Sequence, residues 1–571
     1  MIILHDGTSS DLSHVHAMAN LQEGFALFDY VQIALPRGQS SGNNWIGQIV
    51  EPNRNISTVN NNRLDPTILH GLTLMQSHPD VQSVESVQVF EIKILGEYDG
   101  RQLLTPRLRP LPGAIVNRLD ATVTSSVIGI PQRERRNDGT SNVIGELLNA
   151  ADVPLCIDIN KFNYHIMVSG GTGSGKSNVA ANLIEQALKF GKCILLHDAK
   201  PDYGLVNLAN TDQNVTAIWP RFEQYGLQPH PVTNLSRIGF HGMCNPSNVQ
   251  AVVGFRASDF SPEMLAGFFF TGTNEQLQFE GFASAADSLR EQIRSGDRQS
   301  YSLDEILQVV ERRMGQDVDP REQINKATGD AILRKVRNRR RGMPWLDAVG
   351  QSTGRQTTGR LQRSRSLNGN QNENVQSFSL EQYVQRGRLL VLDYSHPQMD
   401  EQSYALILSY FLRICQQYRR RREQNSVGIV QMVDEAHRIF DNDSRHSGTL
   451  ASAFERVMRE GRSVDHSIIL SLQNASQIPP RVMNNLNTKV VMRQNSKAEA
   501  DAATQTMGKE FSPQAMRLGT GHALVSMHES KATVLAQMAP SPFELMRTDN
   551  TGNSVNNQQP ELATVGDDFE F

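Results

Sequence analysis

The segment GGTGSGKS at residues 170–177 constrains the fold of this 571-residue chain more than any other feature of its sequence. It satisfies the pattern GxxxxGK[ST], with an apolar run, HIMVSG, before it and a helical pattern from Ser177 to Phe190 after it. The backbone N–H groups of such a turn point inward around a phosphate, and the following helix directs its positive end at the same place. The segment therefore predicts a phosphate-binding loop, or P-loop, between a buried strand and a helix. An ordinary glycine-rich turn is the alternative.

The P-loop predicts ATP and Mg²⁺ as ligands. We expect Lys176 to reach the β- and γ-phosphates and the hydroxyl of Ser177 to ligate Mg²⁺. The residues expected to bind the nucleotide are Gly171, Thr172, Gly173, Ser174, Gly175, Lys176 and Ser177.

An acidic pair follows a second apolar run. VGIVQMV at residues 427–433 predicts a buried strand and is followed by Asp434 and Glu435. A P-loop protein that hydrolyses ATP needs a carboxylate for Mg²⁺ and a group that orients the attacking water. We expect Asp434 to hold Mg²⁺ through its water shell and Glu435 to orient the water. An acidic pair that merely caps a helix is the alternative.

Other polar residues complete the predicted catalytic set. Gln473 ends the strand-like run SIILSLQ, a position that faces the γ-phosphate in parallel-sheet ATPases and can report its loss. Arg459 and Arg462 precede that run, and either one is placed to act as an arginine finger toward the nucleotide of the next subunit. Arg493, one strand later, is a further candidate. A plain loop glutamine and surface salt bridges are the alternatives.

Two more carboxylates lie at a predicted strand end. Asp198 and Asp202 belong to HDAKPDY at residues 197–203, which follows the apolar run after the P-loop helix. Ligands bind at the carboxyl edge of such sheets. These residues either help to organise Mg²⁺ and water or form structural hydrogen bonds.

The chain divides into regions of different pattern. Residues 1–130 carry short β-type runs between turn signals, which predict a small N-terminal β-barrel. Residues 131–545 alternate strands and helices, which predicts an α/β fold: a RecA-like P-loop NTPase core with a mostly parallel sheet. We expect an inserted helical subdomain at about residues 205–385, a mobile polar loop at 351–377 and a C-terminal tail at 546–571.

Composition excludes several classes of protein. With 38% hydrophobic residues, 20% charged residues and a net charge of −4, the chain is neither collagen-like nor wholly disordered. No apolar run approaches the ~20 residues of a transmembrane helix, and the N-terminus lacks the features of a signal peptide, so we expect a cytoplasmic protein with no membrane contact. Because Cys156, Cys193, Cys244 and Cys415 form no CxxC pair, they predict neither a zinc site nor disulfides but buried, inert thiols.

Taken together, the motifs resemble the HerA family of HerA/FtsK-type hexameric ATPases. The resemblance rests on NYHIMVSGGTGSGKSN (163–178), HDAKPDY (197–203), the strand that leads into DEAH (434–437), REGR (459–462) and SLQNASQIPPRVMNNLNTKVVMR (471–493). The stretches at 144–165 and 518–526 also look like this family. The resemblance covers most of the chain and is weakest in the helical insert and the polar loop.

The resemblance implies a homo-hexameric ring with ATP sites at the subunit interfaces and double-stranded DNA in the central channel. It also implies an effector protein, either a NurA-like nuclease in DNA end resection or a sirtuin-like or other effector in antiviral defence. The roles it carries over are nucleotide binding by Gly173, Gly175, Lys176 and Ser177, catalysis by Asp434 and Glu435, sensing by Gln473, and a trans-acting arginine at Arg459 or Arg462.

Two basic runs are candidates for contact with DNA phosphates in the channel. Residues 334–341 carry the positive side chains of Arg334, Lys335, Arg337, Arg339, Arg340 and Arg341, and Arg419 to Arg422 form an unbroken run at a predicted helix end. Such side chains can follow phosphates without reading bases. A basic terminus that complements the helix dipole is the alternative.

These features favour an ATP-driven translocase of double-stranded DNA. The alternative is a scaffold or regulatory ATPase ring that assembles and switches an effector with little DNA pumping. A type IV secretion or conjugation coupling ATPase shares the fold but usually has an N-terminal membrane anchor, which we do not expect here.

Overall fold

The computed structural model describes residues 1–4, 13–20, 23–35, 44–57, 72–73, 75, 86–134, 141–150, 152–212, 217–315, 319–349, 375–421, 426–440 and 445–546. Nearly all of the polar loop predicted at 351–377 and all of the tail after residue 546 lie outside these residues. Within them, no helix is both long and apolar enough to cross a membrane.

The N-terminal region forms a small antiparallel barrel. Its strands are β1 (Ile2–Ile3), β2 (His14–Asn20), β3 (Tyr30–Ala34), β4 (Asn44–Ser57), β5 (Ser86–Tyr98), β6 (Leu103–Leu104) and β7 (Ile115–Arg118). Six of them close in the order β1-β7-β3-β4-β5-β2, because β2 pairs with both β1 and β5, and β6 adds to the free side of β5. Alternate side chains such as Val31, Ile33 and Ile92 point into a buried interior. The predicted N-terminal barrel is confirmed.

A second sheet of thirteen described strands forms the body of the molecule. They are β8 (Val143–Leu147), β9 (Pro154–Cys156), β10 (Ile166–Ser169), β11 (Cys193–Asp198), β12 (Leu235–Phe240), β13 (Ala251–Gly254), β14 (Gln376–Ser377), β15 (Leu389–Asp393), β16 (Ile429–Val433), β17 (His466–Leu472), β18 (Thr488–Val491), β19 (His522–Ser526) and β20 (Val534–Met538). Their order is β14-β13-β12-β15-β11-β16-β17-β10-β18-β19-β20-β8-β9. The run from β14 to β18 is parallel, and the remaining strands add to it antiparallel. This confirms the α/β P-loop NTPase core.

Helices flank this sheet. They are α1 (Ala121–Ile128), α2 (Lys176–Lys189), α3 (Trp219–Glu223), α4 (Pro262–Phe269), α5 (Gln276–Arg294), α6 (Leu303–Arg313), α7 (Lys326–Arg340), α8 (Glu401–Arg420), α9 (Arg445–Val464), α10 (Pro480–Met483), α11 (Lys497–Thr504) and α12 (Phe511–Ala515). The P-loop helix α2 buries Val179, Leu183 and Ala187, spaced by four residues, against the sheet. It ends before Gly191, whose φ of +78° suits glycine at a helix end.

The region predicted as a helical insert is not purely helical. Besides α3 to α7 it contributes β12, β13 and β14, which extend the parallel sheet beyond β15. These strands have only two to six residues, so their period-2 pattern is too brief to stand out beside the longer helical patterns.

The barrel packs directly on the ATPase core. Phe28 stacks on Phe511 with ring centroids 5.6 Å apart, and Lys93 Nζ lies 2.6 Å from Glu510 Oε1. The side-chain amide of Gln48 donates to the carbonyl oxygen of Thr533 at 2.9 Å. Both α12 and the hairpin of β19 and β20 are therefore in contact with the barrel.

Candidate nucleotide-binding site

The P-loop occupies the turn between β10 and α2 at the carboxyl edge of the parallel strands. Gly173 and Gly175 have φ angles of +74° and +101°, a backbone conformation that glycine adopts without strain. A Cβ atom on Gly171 would displace the side chain of Asn495, so this position also favours glycine. The glycines of the motif thus allow the tight turn that a phosphate-binding loop needs.

Glu435 is the centre of the site. Its Oε1 accepts hydrogen bonds from Lys176 Nζ at 3.1 Å, Lys200 Nζ at 2.9 Å and Gln473 Nε2 at 2.7 Å. Its Oε2 lies 3.4 Å from His437 Nε2. Glu435 is buried and has a φ of +48°, a left-handed conformation rare for a residue with a side chain. Backbone strain at a buried, multiply bonded carboxylate is typical of functional positions.

The charges around Glu435 keep it ionised. Burial by itself would raise the pKa of this carboxyl, but Lys176 and Lys200 outweigh it and hold the pKa at about 2. Burial would likewise lower the pKa of Lys176, yet Asp434 and Glu435 raise it. Glu435 is therefore a carboxylate, and Lys176 a cation, throughout the neutral pH range.

Oxygen atoms suited to a divalent cation surround Asp434. Ser471 Oγ donates to Asp434 Oδ1 at 2.8 Å, whereas Asp434 Oδ2 is buried and has no hydrogen-bond partner among the described residues. Ser177 Oγ donates to Asp202 Oδ2 at 3.1 Å. Hydroxyl and carboxylate oxygens are the ligands that Mg²⁺ prefers, so this donor set fits the ion.

Asp198 and Asp202 belong to the same acidic cluster. Burial raises the pKa of both carboxyls, and the negative charge of the nearby Asp434 raises it further. The pKa of Asp202 is raised, and that of Asp198 is raised well above its usual value. Asp202 contacts Ser177 through its side chain, whereas Asp198 Oδ1 is buried without a described partner. Of the two, the structure brings Asp202 to the P-loop.

The predicted arginines lie away from this cleft. Arg459 and Arg462 are in the last turns of α9, at the amino end of the sheet. The Arg462 guanidinium lies 3.6 Å from the ring centroid of Tyr164, and Arg459 pairs with Glu455 at 3.5 Å. Within one chain, the described residues place neither arginine in the P-loop cleft.

Arg493 meets the P-loop through its backbone. Its carbonyl oxygen accepts a hydrogen bond of 2.8 Å from the N–H of Gly171. This contact supports the shape of the loop and requires no arginine side chain.

Sequence reasoning missed several site residues. Lys200 stands inside HDAKPDY, and a cation beside a predicted strand end was the available signal. Ser471, which bonds both Lys176 and Asp434, gave no signal, because a serine within an apolar strand is common. The cleft, of about 630 Å³, is also lined by C-terminal residues including Met538 and Met546, which are remote in sequence.

The four cysteines take no part in the site. Cys156, Cys193 and Cys415 are buried, and Cys244 is half-buried. Burial raises the pKa of Cys156 to about 12 and that of Cys193 to about 11, so both remain thiols.

Residues 142–415 match the family model described as Helicase HerA, central domain. Among relatives, the DNA double-strand break repair helicase HerA of Saccharolobus solfataricus is 20% identical over 415 residues, which is 70% of this chain and 70% of that protein. The probable DNA double-strand break repair helicase HerA of Methanocaldococcus jannaschii is 20% identical over 468 residues, 76% of this chain and 82% of that protein.

Solved structures resemble the chain more distantly. VirB4 of Thermoanaerobacter pseudethanolicus has a TM-score of 0.42 at 14% identity and covers 71% of this chain and 98% of its own. The bacterial conjugative coupling protein TrwB has a TM-score of 0.44 at 12% identity and covers 75% and 95%. Because both scores are low, the fold assignment rests on the strand order and the P-loop, and the family assignment on the sequence match. Residues 142–415 thus form a HerA-type central domain within a P-loop ATPase fold.

Proposed function

We propose that this protein is an ATP-hydrolysing motor that moves double-stranded DNA through a homo-hexameric ring. The observation that carries the proposal is the ionised Glu435 carboxylate, held by Lys176, Lys200 and Gln473 beside the P-loop. This arrangement is suited to orienting a water molecule for attack on a γ-phosphate. The named relatives are DNA double-strand break repair helicases, which supports DNA as the polymer that the motor moves.

Hydrolysis begins with a change of partner at Lys176. The Lys176 ammonium bonds Glu435 in this structure, and the phosphates of ATP in the P-loop compete with Glu435 for it. Glu435 then accepts a hydrogen bond from the attacking water, while Lys200 still neutralises part of its charge. Ser177 and Asp434 would hold Mg²⁺, which supplies charge neutralisation at the phosphates.

Gln473 is the proposed sensor of the γ-phosphate. Its side chain bridges the two halves of the site, with Nε2 on Glu435 at 2.7 Å and Oε1 at 3.5 Å from Thr172 Oγ1 in the P-loop. Gain or loss of a phosphate between these groups changes both contacts. Because Gln473 directly follows β17, and α9 directly precedes that strand, the change reaches α9 and its arginines through one strand.

Fewer basic side chains are available to contact DNA than the sequence predicted. Arg419 is buried and bonds the carbonyl oxygen of Val464 at 2.6 Å, and Arg420 and Arg421 pair with Glu460 and Glu381. This run is structural where it is described, and Arg422 lies outside the described residues.

In the other run, four side chains are held by intramolecular ion pairs or ring contacts: Lys335, Arg337, Arg339 and Arg340. Arg334 and Arg341 are exposed and make no ion pair with the part of the chain that is described. We propose these two as contacts to the DNA backbone in the channel.

A scaffold ring that switches an effector is the second candidate. The barrel exposes Leu104, Leu108 and Leu111 on one short segment, and each is at least 45% exposed. Clustered exposed leucines are typical of protein-binding surfaces. A nuclease or defence effector, of the kinds that the resemblance to the HerA family implies, would be such a partner, and the motor itself is proposed to be cytoplasmic.

Duplex DNA is expected to stimulate ATP hydrolysis severalfold. The measurement is steady-state phosphate release by the purified full chain with and without linear duplex DNA, together with its native mass. Stimulation should weaken as salt rises, because DNA phosphate contacts are electrostatic. Hydrolysis by a ring that is indifferent to DNA would refute the motor and favour the scaffold.

A further inference from the structure

The nucleotide cleft continues well beyond the P-loop. Its far side is lined by Asn210, Asp212 and Ile218 and by six residues of the C-terminal segment 538–546, namely 538–540 and 544–546. We propose that this far side is the subsite for the base and ribose of the nucleoside triphosphate, with residues 538–546 as its main wall. The inference rests on the proposed nucleotide binding at the P-loop and adds the groups that recognise the rest of the molecule.

The C-terminal segment is attached to the P-loop helix. Asn182 Nδ2, on α2, donates to the carbonyl oxygens of Ala539 at 2.6 Å and Pro540 at 3.0 Å. One turn earlier on the same helix, Asn178 Oδ1 accepts from the N–H of Ser541 at 3.2 Å. Residues 539–541 therefore lie at a fixed distance from the P-loop, where helix α2 begins and where the phosphates would bind.

The segment is also attached to the chain that follows β11. Asn210 Nδ2 donates to the carbonyl oxygen of Ser541 at 2.7 Å. The backbone N–H of Met546 donates to the carbonyl oxygen of Asp202 at 2.8 Å. The Met546 side chain fills the space that a Cβ atom on Gly204 would occupy. Met546 is thus placed between the acidic cluster and the far side of the cleft.

The wall has the chemistry of a base-binding surface. Ile218, Met538, Leu545 and Met546 present aliphatic and thioether groups, and no aromatic ring is among the described residues that line the cleft. Flat, weakly polar bases pack well on methionine and branched aliphatic side chains, and ligand pockets combine such walls with a few polar groups. Glu544 supplies a carboxylate that can accept hydrogen bonds from ribose hydroxyls.

The two halves of the cleft should contribute to affinity separately. Phosphates contact the P-loop and Lys176, whereas the base and ribose contact residues 538–546. A ligand that has only phosphates, inorganic tripolyphosphate, therefore tests the P-loop half, and ATP tests both halves together.

The test is equilibrium binding of ATP and of tripolyphosphate to full-length Leu545→Ala and Met546→Ala variants. Loss of one apolar contact should weaken ATP binding about 5- to 30-fold and leave tripolyphosphate binding within about twofold of wild type. Lys176→Ala should weaken both ligands. Leu208→Ala is the matched control, because Leu208 lies in the neighbouring segment, is 37% exposed and does not line the cleft.

Two results would overturn the base subsite. One is ATP affinity unchanged in both variants, and the other is wild-type protein that binds ATP no more tightly than tripolyphosphate. Unchanged tripolyphosphate binding in the variants shows that they are folded. Failure of DNA to stimulate hydrolysis refutes translocation only, so the two proposals fail separately.

Discussion

Glu435→Gln is expected to lower ATP turnover by about 10²- to 10⁴-fold while ATP affinity stays within a few-fold of wild type. The amide keeps the size of the side chain and a hydrogen-bonding oxygen for Lys200, but it loses the negative charge that orients and polarises water. Because the pKa of the native carboxyl is held at about 2, Glu435 is a carboxylate at neutral pH in the wild-type protein, and the substitution removes its charge completely. Phosphate release under saturating ATP measures the effect.

A surface glutamate provides the control for Glu435→Gln. Glu263→Gln makes the same chemical change at an exposed position outside the cleft and should hydrolyse ATP at the wild-type rate. Turnover of Glu435→Gln within tenfold of wild type would show that another group orients the water.

Arg462→Ala is expected to lower turnover by about 10³-fold or more with little loss of nucleotide affinity, as for an arginine finger that acts from a neighbouring subunit. We favour Arg462 over Arg459 because its guanidinium rests 3.6 Å from the centre of the Tyr164 ring, which also stacks on His528 with ring centroids 4.1 Å apart. A cation on a ring is held in place while its N–H groups remain able to donate. The 68% exposed Arg459 side chain pairs only with Glu455 among the described residues, and Arg459→Ala should have the smaller effect.

Mixing two inactive variants tests whether Arg462 acts between subunits. In a ring formed from equal amounts of Arg462→Ala and Glu435→Gln chains, random assembly leaves about one quarter of the interfaces with both groups intact, because each site combines the two groups from different subunits. The mixture should regain activity that neither variant has alone. No recovery, in a mixture shown to share subunits, would place the arginine outside the neighbouring site, as would wild-type turnover by Arg462→Ala.

The centre of the site could be predicted because its signals are local. GGTGSGKS and the pair Asp434 and Glu435 each follow a short apolar strand, and parallel strands bring their carboxyl ends to one edge of the sheet. Gln473 was predicted by the same reasoning and lies 2.7 Å from Glu435. A motif that follows a predicted parallel strand therefore predicts where its side chains lie in the fold as well as which chemistry they can perform.

The rest of the site depends on contacts that no local pattern contains. Asn182 and Ala539, whose hydrogen bond fixes the far wall of the cleft, are 357 residues apart in the chain. Lys200 gave a weak signal, because only the folded sheet brings it to Glu435. The position of Arg462 follows from the direction of α9, which ends at the edge of the sheet opposite the P-loop. Such long-range contacts, and the short strands β12 to β14, could be identified only from the three-dimensional structure.

Displacement of a third DNA strand from a linear duplex tests the central claim most directly. A motor that moves along duplex DNA removes an annealed triplex-forming strand as it passes, and it must hydrolyse ATP to do so. Wild-type protein is expected to release the third strand with ATP, and Glu435→Gln is expected to bind ATP and leave the strand in place. Vigorous ATP hydrolysis by the wild-type protein on this DNA without release of the third strand would contradict translocation.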